Sequence, residues 1–193
     1  MDKFSLHLLG GFALHHGDRP VDLPPACQRL IALVALKRRP VHRLWLCATL
    51  WPHAQTRRAV ASLRSAMWRL RPAGAEALLT VDPQYIELGP DVTVDWHRAV
   101  DTIEQLLAGD VDAPLVADLL PLLRAGELLD RWAERWVAPE RDQYHAMRVG
   151  ALDALGHGND KQLPHWASGS PRSARVRRTV ITAHSDPAGP NEP

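Results

Sequence analysis

One stretch in the first half of the chain, rich in bases and free of acids, limits most strongly what this sequence can form. Residues 23–75 contain no Asp or Glu but hold ten bases, so the stretch carries a charge of +10. The bases are Arg29, Lys37, Arg38, Arg39, Arg43, Arg57, Arg58, Arg64, Arg69 and Arg71. Solubility alone does not require acids to be absent over so long a run, whereas contact with a polyanion favours such a block. We therefore interpret the stretch as a surface for a polyanion, with a basic face that merely aids solubility as the alternative.

The charge balance reverses in the next part of the sequence. Residues 76–160 hold seventeen acids and six arginines, a balance of −11, although the net charge of the 193-residue chain is only +1. Opposite charges in two consecutive stretches indicate two modules. The hydrophobic fraction of 46% is sufficient for a packed core and excludes a chain that is disordered throughout.

The N-terminal part is predicted to form a small antiparallel sheet followed by two helices. Apolar and polar residues alternate over residues 4–8 and again after Gly10-Gly11, and turn residues follow at 16–18, which indicates short strands within the first 23 residues. Pro24-Pro25 then opens a helix with an apolar stripe, which ends before Pro40. A shorter helix is predicted from about 42 to 50, with a break after it.

The segment 55–71 is predicted to be an amphipathic helix with a basic outer side. Val60, Leu63, Met67 and Leu70 recur at the spacing of one helix side. The opposite side and its borders hold arginines, small residues and an indole, namely Arg57, Arg58, Ala61, Ser62, Arg64, Ser65, Trp68, Arg69 and Arg71. Small residues allow close approach to another surface, and arginines can bind guanine edges or phosphates in a bidentate manner. The pattern predicts a recognition helix, and a solvated basic helix face is the alternative.

A hairpin is predicted directly after this helix. Two β-prone runs, 78–81 and 85–88, surround the turn residues 82–84. A short helix, a second helix with a basic outer face and a hairpin, in this order, are typical of a winged helix-turn-helix, which reads double-stranded DNA in the major groove.

Roles on DNA follow from the positions of the side chains in this pattern. Base or near-base contacts are predicted for Arg58 and Arg69, with Ser62, Ser65 and Trp68 beside them. Phosphate contacts are predicted for Arg43, Arg57, Arg64 and Arg71. In the wing, Gln84 and Tyr85 are predicted to touch the backbone or a minor groove, and partly buried packing is the alternative for Tyr85.

The second half is predicted to be helical. Helices are expected from Asp95 to about Gly109, over 114–123, over 127–137 and over 139–155. The periodicity ends beyond Gly156, and the composition of the remainder predicts a disordered tail. The predicted fold class is α+β, mostly α with small β-sheets. The predicted domains are a winged helix over 1–94, a helical module over 95–156 and the tail over 157–193.

Several of these segments resemble one family of regulators. LHLLGGFAL, LPPACQRLIALVALKRRPVHR, LCATLWP and ASLRSAMWRLR resemble the OmpR-type winged-helix DNA-binding domain of the Streptomyces antibiotic regulatory protein (SARP/AfsR-type) activators. VTVDWHRAVDTIEQLLAG and GELLDRWAERWVAPERDQYHAMRVGALDAL resemble the start of the bacterial transcriptional activation domain that follows it in that family. The resemblance covers about residues 4–155.

The resemblance implies a cytoplasmic, nucleoid-associated transcriptional activator that binds direct DNA repeats as a homodimer and contacts RNA polymerase. It places the recognition helix at Arg57 through Arg71 and the wing at Asp82 through Tyr85. The family's activation domain continues through further helical hairpins of tetratricopeptide type, whereas the resemblance here ends near Leu155. An interaction or decoy protein that modulates a full-length regulator is therefore the alternative function.

Other classes of function find little support in the sequence. No phosphate-binding glycine loop, nucleophile elbow or paired-carboxylate site is evident, so no enzyme and no cofactor are predicted. The ten histidines form no cluster with ligand spacing, and no metal is predicted. Cys27 and Cys47 are expected to be buried small residues in a reducing compartment. Trp45, Trp51, Trp96, Trp132 and Trp136 are expected to be core residues. No apolar run is long enough to span a membrane.

Overall fold

The computed structural model describes residues 3–109 and 112–160 and has an α+β fold, as predicted. Its strands are β1 (Phe4–His7), β2 (Ala13–His16), β3 (Arg19–Pro20), β4 (Val41–His42), β5 (Leu79–Val81), β6 (Tyr85–Leu88) and β7 (Val92–Val94). Its helices are α1 (Pro25–Lys37), α2 (Arg43–Leu50), α3 (Thr56–Trp68), α4 (Asp95–Ala108), α5 (Ala113–Arg124) and α6 (Ala138–Asp160). A 3-10 turn at Glu76–Leu78 precedes β5.

The N-terminal sheet has the strand order β3-β2-β1-β7. β1, β2 and β3 are antiparallel neighbours, which confirms the small sheet predicted for the first 23 residues. Phe4, Leu6 and Leu14 are buried while their sequence neighbours are less so, as the period of a half-buried strand requires. β7 joins the sheet parallel to β1, and this pairing was not predicted.

Three helices pack on one another and supply much of the core of the first half. α1 begins at Pro25, where proline costs no hydrogen bond, and buries an unbroken run from Leu30 to Leu36. It ends with Arg38 in the left-handed conformation (φ 49°), whose N–H donates to the Ala35 carbonyl. α2 and α3 follow and pack on each other and on α1. The predicted helix-turn-helix order is therefore present.

The second sheet has the order β4-β6-β5, with both pairs antiparallel. β5 and β6 form the predicted hairpin, and β4, which immediately precedes α2, pairs with β6. Because His42 lies opposite Tyr85 in this pairing, the hairpin is anchored at the start of α2. We call the turn and strand start at residues 82–85 the wing tip.

The second half differs from the prediction between α5 and α6. A helix was predicted over 127–137, but this segment contains turns and one isolated bridge between Leu128 and Leu9. Gly126 and Leu129 have positive φ values of 112° and 46°, which no α-helix can contain. The Arg141 guanidinium instead donates to the carbonyls of Leu128, Leu129 and Trp132, which a helix would have satisfied within itself.

The last helix is longer than predicted. α6 runs to Asp160, whereas the predicted helix ended near Leu155. The rest of the predicted disordered tail, 161–193, lies outside the described residues.

The five tryptophans predicted as core residues have different surroundings. Trp96 is buried, and Trp51, Trp132 and Trp136 are half-buried. The ring of Trp132 stacks at 6.0 Å on Phe12, so this indole joins the two halves of the chain, and it meets Trp136 edge-on. Trp45 was wrongly assigned to the core: it is 43% exposed on α2, with the Lys37 ammonium 5.6 Å from its ring centre.

The two halves meet at a close approach of backbone. The Gly10 N–H donates to the Glu127 carbonyl at 2.7 Å, and the Leu129 N–H donates to the Leu8 carbonyl at 2.8 Å. A Cβ at Gly10 would lie 2.5 Å from the Ala125 oxygen, so only glycine fits there. The buried residues of both halves form one continuous cluster. The helical module is thus packed against the N-terminal sheet and α1.

Candidate nucleic-acid interface

The basic helix α3 is held in place by its small and apolar side. Ala59, Leu63 and Ala66 are buried, as is Leu70 just beyond the helix, whereas Val60 and Met67 are half-buried. The Cys27 thiol of α1 donates to the Ala66 carbonyl at 3.3 Å, which brings the two helices close together. Relative to the predicted stripe, the buried side is turned by about 40° around the helix axis, toward the alanines.

The opposite side of α3 faces solvent and is basic. The exposed residues from Arg57 onward are Arg57, Arg58, Ala61, Arg64, Ser65, Trp68, Arg69 and Arg71. Trp68 is 67% exposed, more than any other large hydrophobic side chain among the described residues. Because the buried side is turned toward the alanines, Ala61 and Trp68 lie near the middle of the exposed side, with Arg57 and Arg58 on either flank. Ser62 is half-buried at its edge.

The arginines of α3 carry no internal counter-charge. Within residues 3–109 and 112–160, no ion pair joins an acid to Arg57, Arg58, Arg64, Arg69 or Arg71. Exposed cations without acidic neighbours produce a positive potential that attracts a polyanion. The acids that the structure describes therefore form no direct ion pair with this surface.

The acids of the second half bind the cations of α1 instead. Arg29 Nε lies 2.8 Å from Glu134 Oε1, and Lys37 Nζ lies 2.9 Å from Glu140 Oε1. Arg38 Nη2, at the end of α1, lies 2.7 Å from Asp101 Oδ1 in α4. These three pairs connect the basic stretch with α4, α6 and the segment between α5 and α6.

The wing lies beside α3 and shares a groove with it. The groove, of about 380 Å³, is lined by residues of α2, by Val60, Leu63 and Arg64 of α3, and by Pro83 and Gln84 of the wing. Gln84 and Tyr85 are both exposed, and Tyr85, at 41%, is also covered in part by its neighbours. The Tyr85 ring meets the His42 ring edge-on at 5.4 Å. The groove between α3 and the wing is open to solvent and could hold the sugar-phosphate backbone of a nucleic acid.

Arg43 occupies a different position from the arginines of α3. Its side chain is half-buried, and its Nη1 donates to the Asp82 carbonyl at 3.2 Å. Its backbone N–H donates to the Gln84 carbonyl at 2.8 Å. Arg43 therefore bridges α2 and the wing tip rather than pointing freely to solvent.

Asp82, which the resemblance places at the start of the wing, received no role of its own from the sequence. Its Oδ1 accepts hydrogen bonds from the N–H groups of Gln84 at 2.7 Å and Tyr85 at 2.6 Å. The Asp-Pro turn signal was recognised as a turn, but an acid inside a proposed DNA surface gave no reason to assign it a role. Arg39 was also left without a role; it is exposed and lines a depression with His42, Trp45 and Tyr85.

Other kinds of site have little support in the described residues. They hold no group of three or more His, Cys, Asp or Glu that could bind a metal ion. Cys27 and Cys47 are buried free thiols, and burial raises the pKa of both above the usual value. None of the described helices combines the length and apolar character needed to cross a membrane.

Comparison with known proteins identifies a structural neighbour. The chain is similar to Mycobacterium tuberculosis EmbR, in a structure of EmbR in complex with a low-affinity phosphopeptide, with a TM-score of 0.60 and 24% sequence identity. The similarity covers 79% of this chain and 44% of EmbR, so this chain spans less than half the length of that neighbour. No family model and no curated protein matches the sequence. The likeness establishes a shared fold.

Proposed function

We propose that the chain is a sequence-specific DNA-binding transcriptional regulator that reads duplex DNA with α3. The observation that supports this most directly is the exposed, acid-free side of α3, beside an exposed wing. A helix is about 10–12 Å wide with its side chains, and the major groove of B-DNA is about 12 Å wide. Within this proposal, residues 1–94 form the DNA-binding domain and 95–156 a helical module packed behind it.

The division of labour on α3 follows from its orientation. In a helix-turn-helix, the N-terminal residues of the recognition helix reach the base edges. Arg57 and Arg58 belong to that first turn and flank the middle of the exposed side, so we assign base contacts to them. Arg64 and the two arginines at the C-terminal end, Arg69 and Arg71, are assigned to phosphates. This differs from the sequence-based roles of Arg57 and Arg69, because the buried side of α3 is centred on its alanines.

The small residues and the indole complete the proposed surface. Ala61 and Ser65 let the helix backbone approach the groove, and Trp68 offers an apolar face to deoxyribose or a thymine methyl group. Gln84 and Tyr85 would meet the backbone of the adjacent strand from the wing.

The first test is selection of bound duplexes from a random pool with the full chain, followed by titration of the selected sequence. We expect a defined motif, bound by the protein alone and without a partner protein. A tandem motif would add pairing of protomers on DNA repeats to the proposal. If the selection yielded no common motif and the affinities for recovered and random DNA were equal, sequence-specific reading would be rejected and the interaction or decoy alternative favoured.

Single alanine variants then separate the two groups of arginines. Arg58→Ala is expected to weaken binding to the selected site by about 10-fold or more and to relax the preference at one or two base pairs. Arg71→Ala is expected to weaken binding to the selected duplex and binding to random DNA by similar factors. The matched control is Arg98→Ala, an exposed arginine of α4, for which neither affinity should change. Equal effects of all three variants on both DNAs would reject the assignment.

A further inference from the structure

The wing tip is tied to the start of α2 by several contacts that converge on two residues. The Asp82 carboxylate accepts from the N–H groups of Gln84 and Tyr85, and the Asp82 N–H donates to the Tyr85 carbonyl at 3.1 Å. On the other side of the turn, Arg43 reaches the wing twice, from its guanidinium to the Asp82 carbonyl and from its N–H to the Gln84 carbonyl. Three of these five bonds come from side chains and satisfy backbone groups of the exposed tip that would otherwise be left to water.

We propose that Asp82 and Arg43 are positioning residues that lock the wing tip onto α2, and thereby fix Gln84 and Tyr85 at the spacing from α3 that DNA binding needs. The inference rests on the proposed function for its consequence, but the lock itself is a property of the free protein. α2 packs on α3, so a tip fixed to α2 has a fixed distance from the recognition helix. Without the lock, ordering the tip would subtract from the binding free energy.

The charge at Asp82 would otherwise be difficult to understand. A carboxylate facing a phosphate backbone is repelled, and the preceding 53-residue basic block excludes acids altogether. The N–H of Tyr85, and next that of Gln84, lower the pKa of Asp82 below its usual value, so the ionised acceptor is the stable form. Its negative charge is directed into the turn, where two N–H groups and Arg43 oppose it.

The acceptor oxygen of Asp82 and its negative charge can be removed independently. Asp82→Asn keeps an oxygen that can accept from Gln84 and Tyr85 but removes the charge, whereas Asp82→Ala removes both. The matched control is Asp18→Ala, which deletes an exposed carboxylate from the turn between β2 and β3 in the other sheet. Arg43→Ala tests the second half of the lock.

The experiment measures amide hydrogen exchange of Gln84 and Tyr85 in the full chain without DNA, together with affinity for the selected duplex. We expect exchange about 10-fold faster in Asp82→Ala and within about threefold of the native rate in Asp82→Asn and Asp18→Ala. Affinity should fall about fivefold or more in Asp82→Ala and be kept or improved in Asp82→Asn. Adding Arg43→Ala to Asp82→Ala should cost less than the two single effects combined, because both loosen one turn.

Two results would overturn the lock. Unchanged exchange at the wing tip in Asp82→Ala would mean that the carboxylate does not hold the turn. Tighter DNA binding by Asp82→Ala and Asp82→Asn alike would mean that Asp82 acts on DNA through its charge alone. If no variant and no native protein bound DNA, the proposed function would fail, while the exchange data would still decide whether the lock exists.

Discussion

The helices α1 and α3 come from the same acid-free stretch of sequence, yet their cations have different surroundings. The basic residues Arg29, Lys37 and Arg38, in and directly after α1, bind acids of the second half at 2.7–2.9 Å. Five arginines in and directly after α3 have no acidic partner within the described residues. α1 packs on α3, and the acids of the helical module pair with the cations in and after α1 and, within the described residues, with none of those in and after α3.

This contrast gives the reversed charges of the two halves a physical meaning. A basic block can bind a polyanion, an acidic half of the same chain, or both, and composition alone does not distinguish these outcomes. Here, part of the block holds the second half in place and the rest stays available. Loss of a cation should therefore affect different properties in the two helices. On α1 it should lower stability, and on α3 it should lower the affinity for DNA.

The largest expected effect is on DNA affinity. Arg57→Ala with Arg64→Ala removes two exposed charges from α3 and is expected to weaken binding to the selected duplex about 100-fold, because a base contact and a phosphate contact are lost together. The unfolding midpoint should change little, since exposed side chains without partners contribute little to stability. Fluorescence anisotropy with a labelled duplex and thermal unfolding measure the two quantities.

The matched pair on the other helix is Arg29→Ala with Arg38→Ala, which removes the same charge. We expect affinity within about threefold of the native value and a loss of stability of up to about 2 kcal/mol, because two partly exposed ion pairs and the hydrogen bond from Arg29 to the Leu50 carbonyl disappear. A loss of affinity equal to that of the α3 pair would break the comparison.

A second effect on stability is expected at the junction of the halves. Gly10→Ala places a Cβ against the Ala125 oxygen at a residue with φ 75°, so the segment that carries Glu134 should be displaced and stability should fall by about 2 kcal/mol or more. Gly109→Ala, also at positive φ (96°) but with open space around it, should cost about 1 kcal/mol. Chemical unfolding measures the difference between the two variants.

DNA affinity of the folded Gly10→Ala protein separates two views of the module. We expect it to stay within about twofold of the native value, because the module does not cover α3. A marked gain in affinity would instead mean that the second half restrains the DNA surface, and the contrast between α1 and α3 would have to be revised.

The smallest expected effect is a pH dependence on the α1 side. His97 of α4 bonds through Nε2 to the Ala35 carbonyl at 2.8 Å, and burial lowers its pKa below the usual 6.5, with Arg38 lowering it further while Asp101 and Asp95 oppose the shift. The unfolded chain therefore takes up the proton at higher pH than the folded one. Stability from the neutral ring is complete above pH 6.5 and is lost as the pH falls below it.

His97→Gln keeps a donor for the Ala35 carbonyl but does not titrate. The variant should be slightly less stable than the native protein at pH 7. This difference in unfolding free energy should shrink or change sign as the pH falls from 7 to 5. Urea unfolding at several pH values gives this difference, and a difference that is constant over this range would contradict the account.

The sequence predicted those parts of the fold whose signals are local. The alternation in β1 and β2, the prolines before α1 and the 3.6-residue period of α3 each correspond to an element in the structure. The exposure of Arg57, Arg58 and Trp68 also followed from that period. The error of about 40° in the buried side arose because alanines count little in an apolar stripe although they pack as closely as leucines do.

The parts that could not be predicted depend on distant partners. β7 pairs with β1 across almost the whole first half of the chain, which no local period encodes. The segment 127–137 has the composition of a helix, but Arg141 and the backbone of Leu8 and Gly10 take its polar groups. In the same way, the pairing of Arg29 with Glu134 joins residues more than a hundred positions apart. The local preference of a segment for a helix is overridden where distant residues form hydrogen bonds with its backbone N–H and carbonyl groups.

The central claim is that the unpaired arginines of α3 meet DNA phosphates and bases while the cations of α1 do not. The most direct test is the slope of log affinity against log salt concentration for the native chain and the two double-alanine variants. The account predicts that the α3 pair, which loses one phosphate contact at Arg64 and one base contact at Arg57, lowers the magnitude of the slope by about 1, and that the α1 pair leaves it unchanged. Equal slopes for the native chain and the α3 pair, or a reduced slope only for the α1 pair, would contradict it.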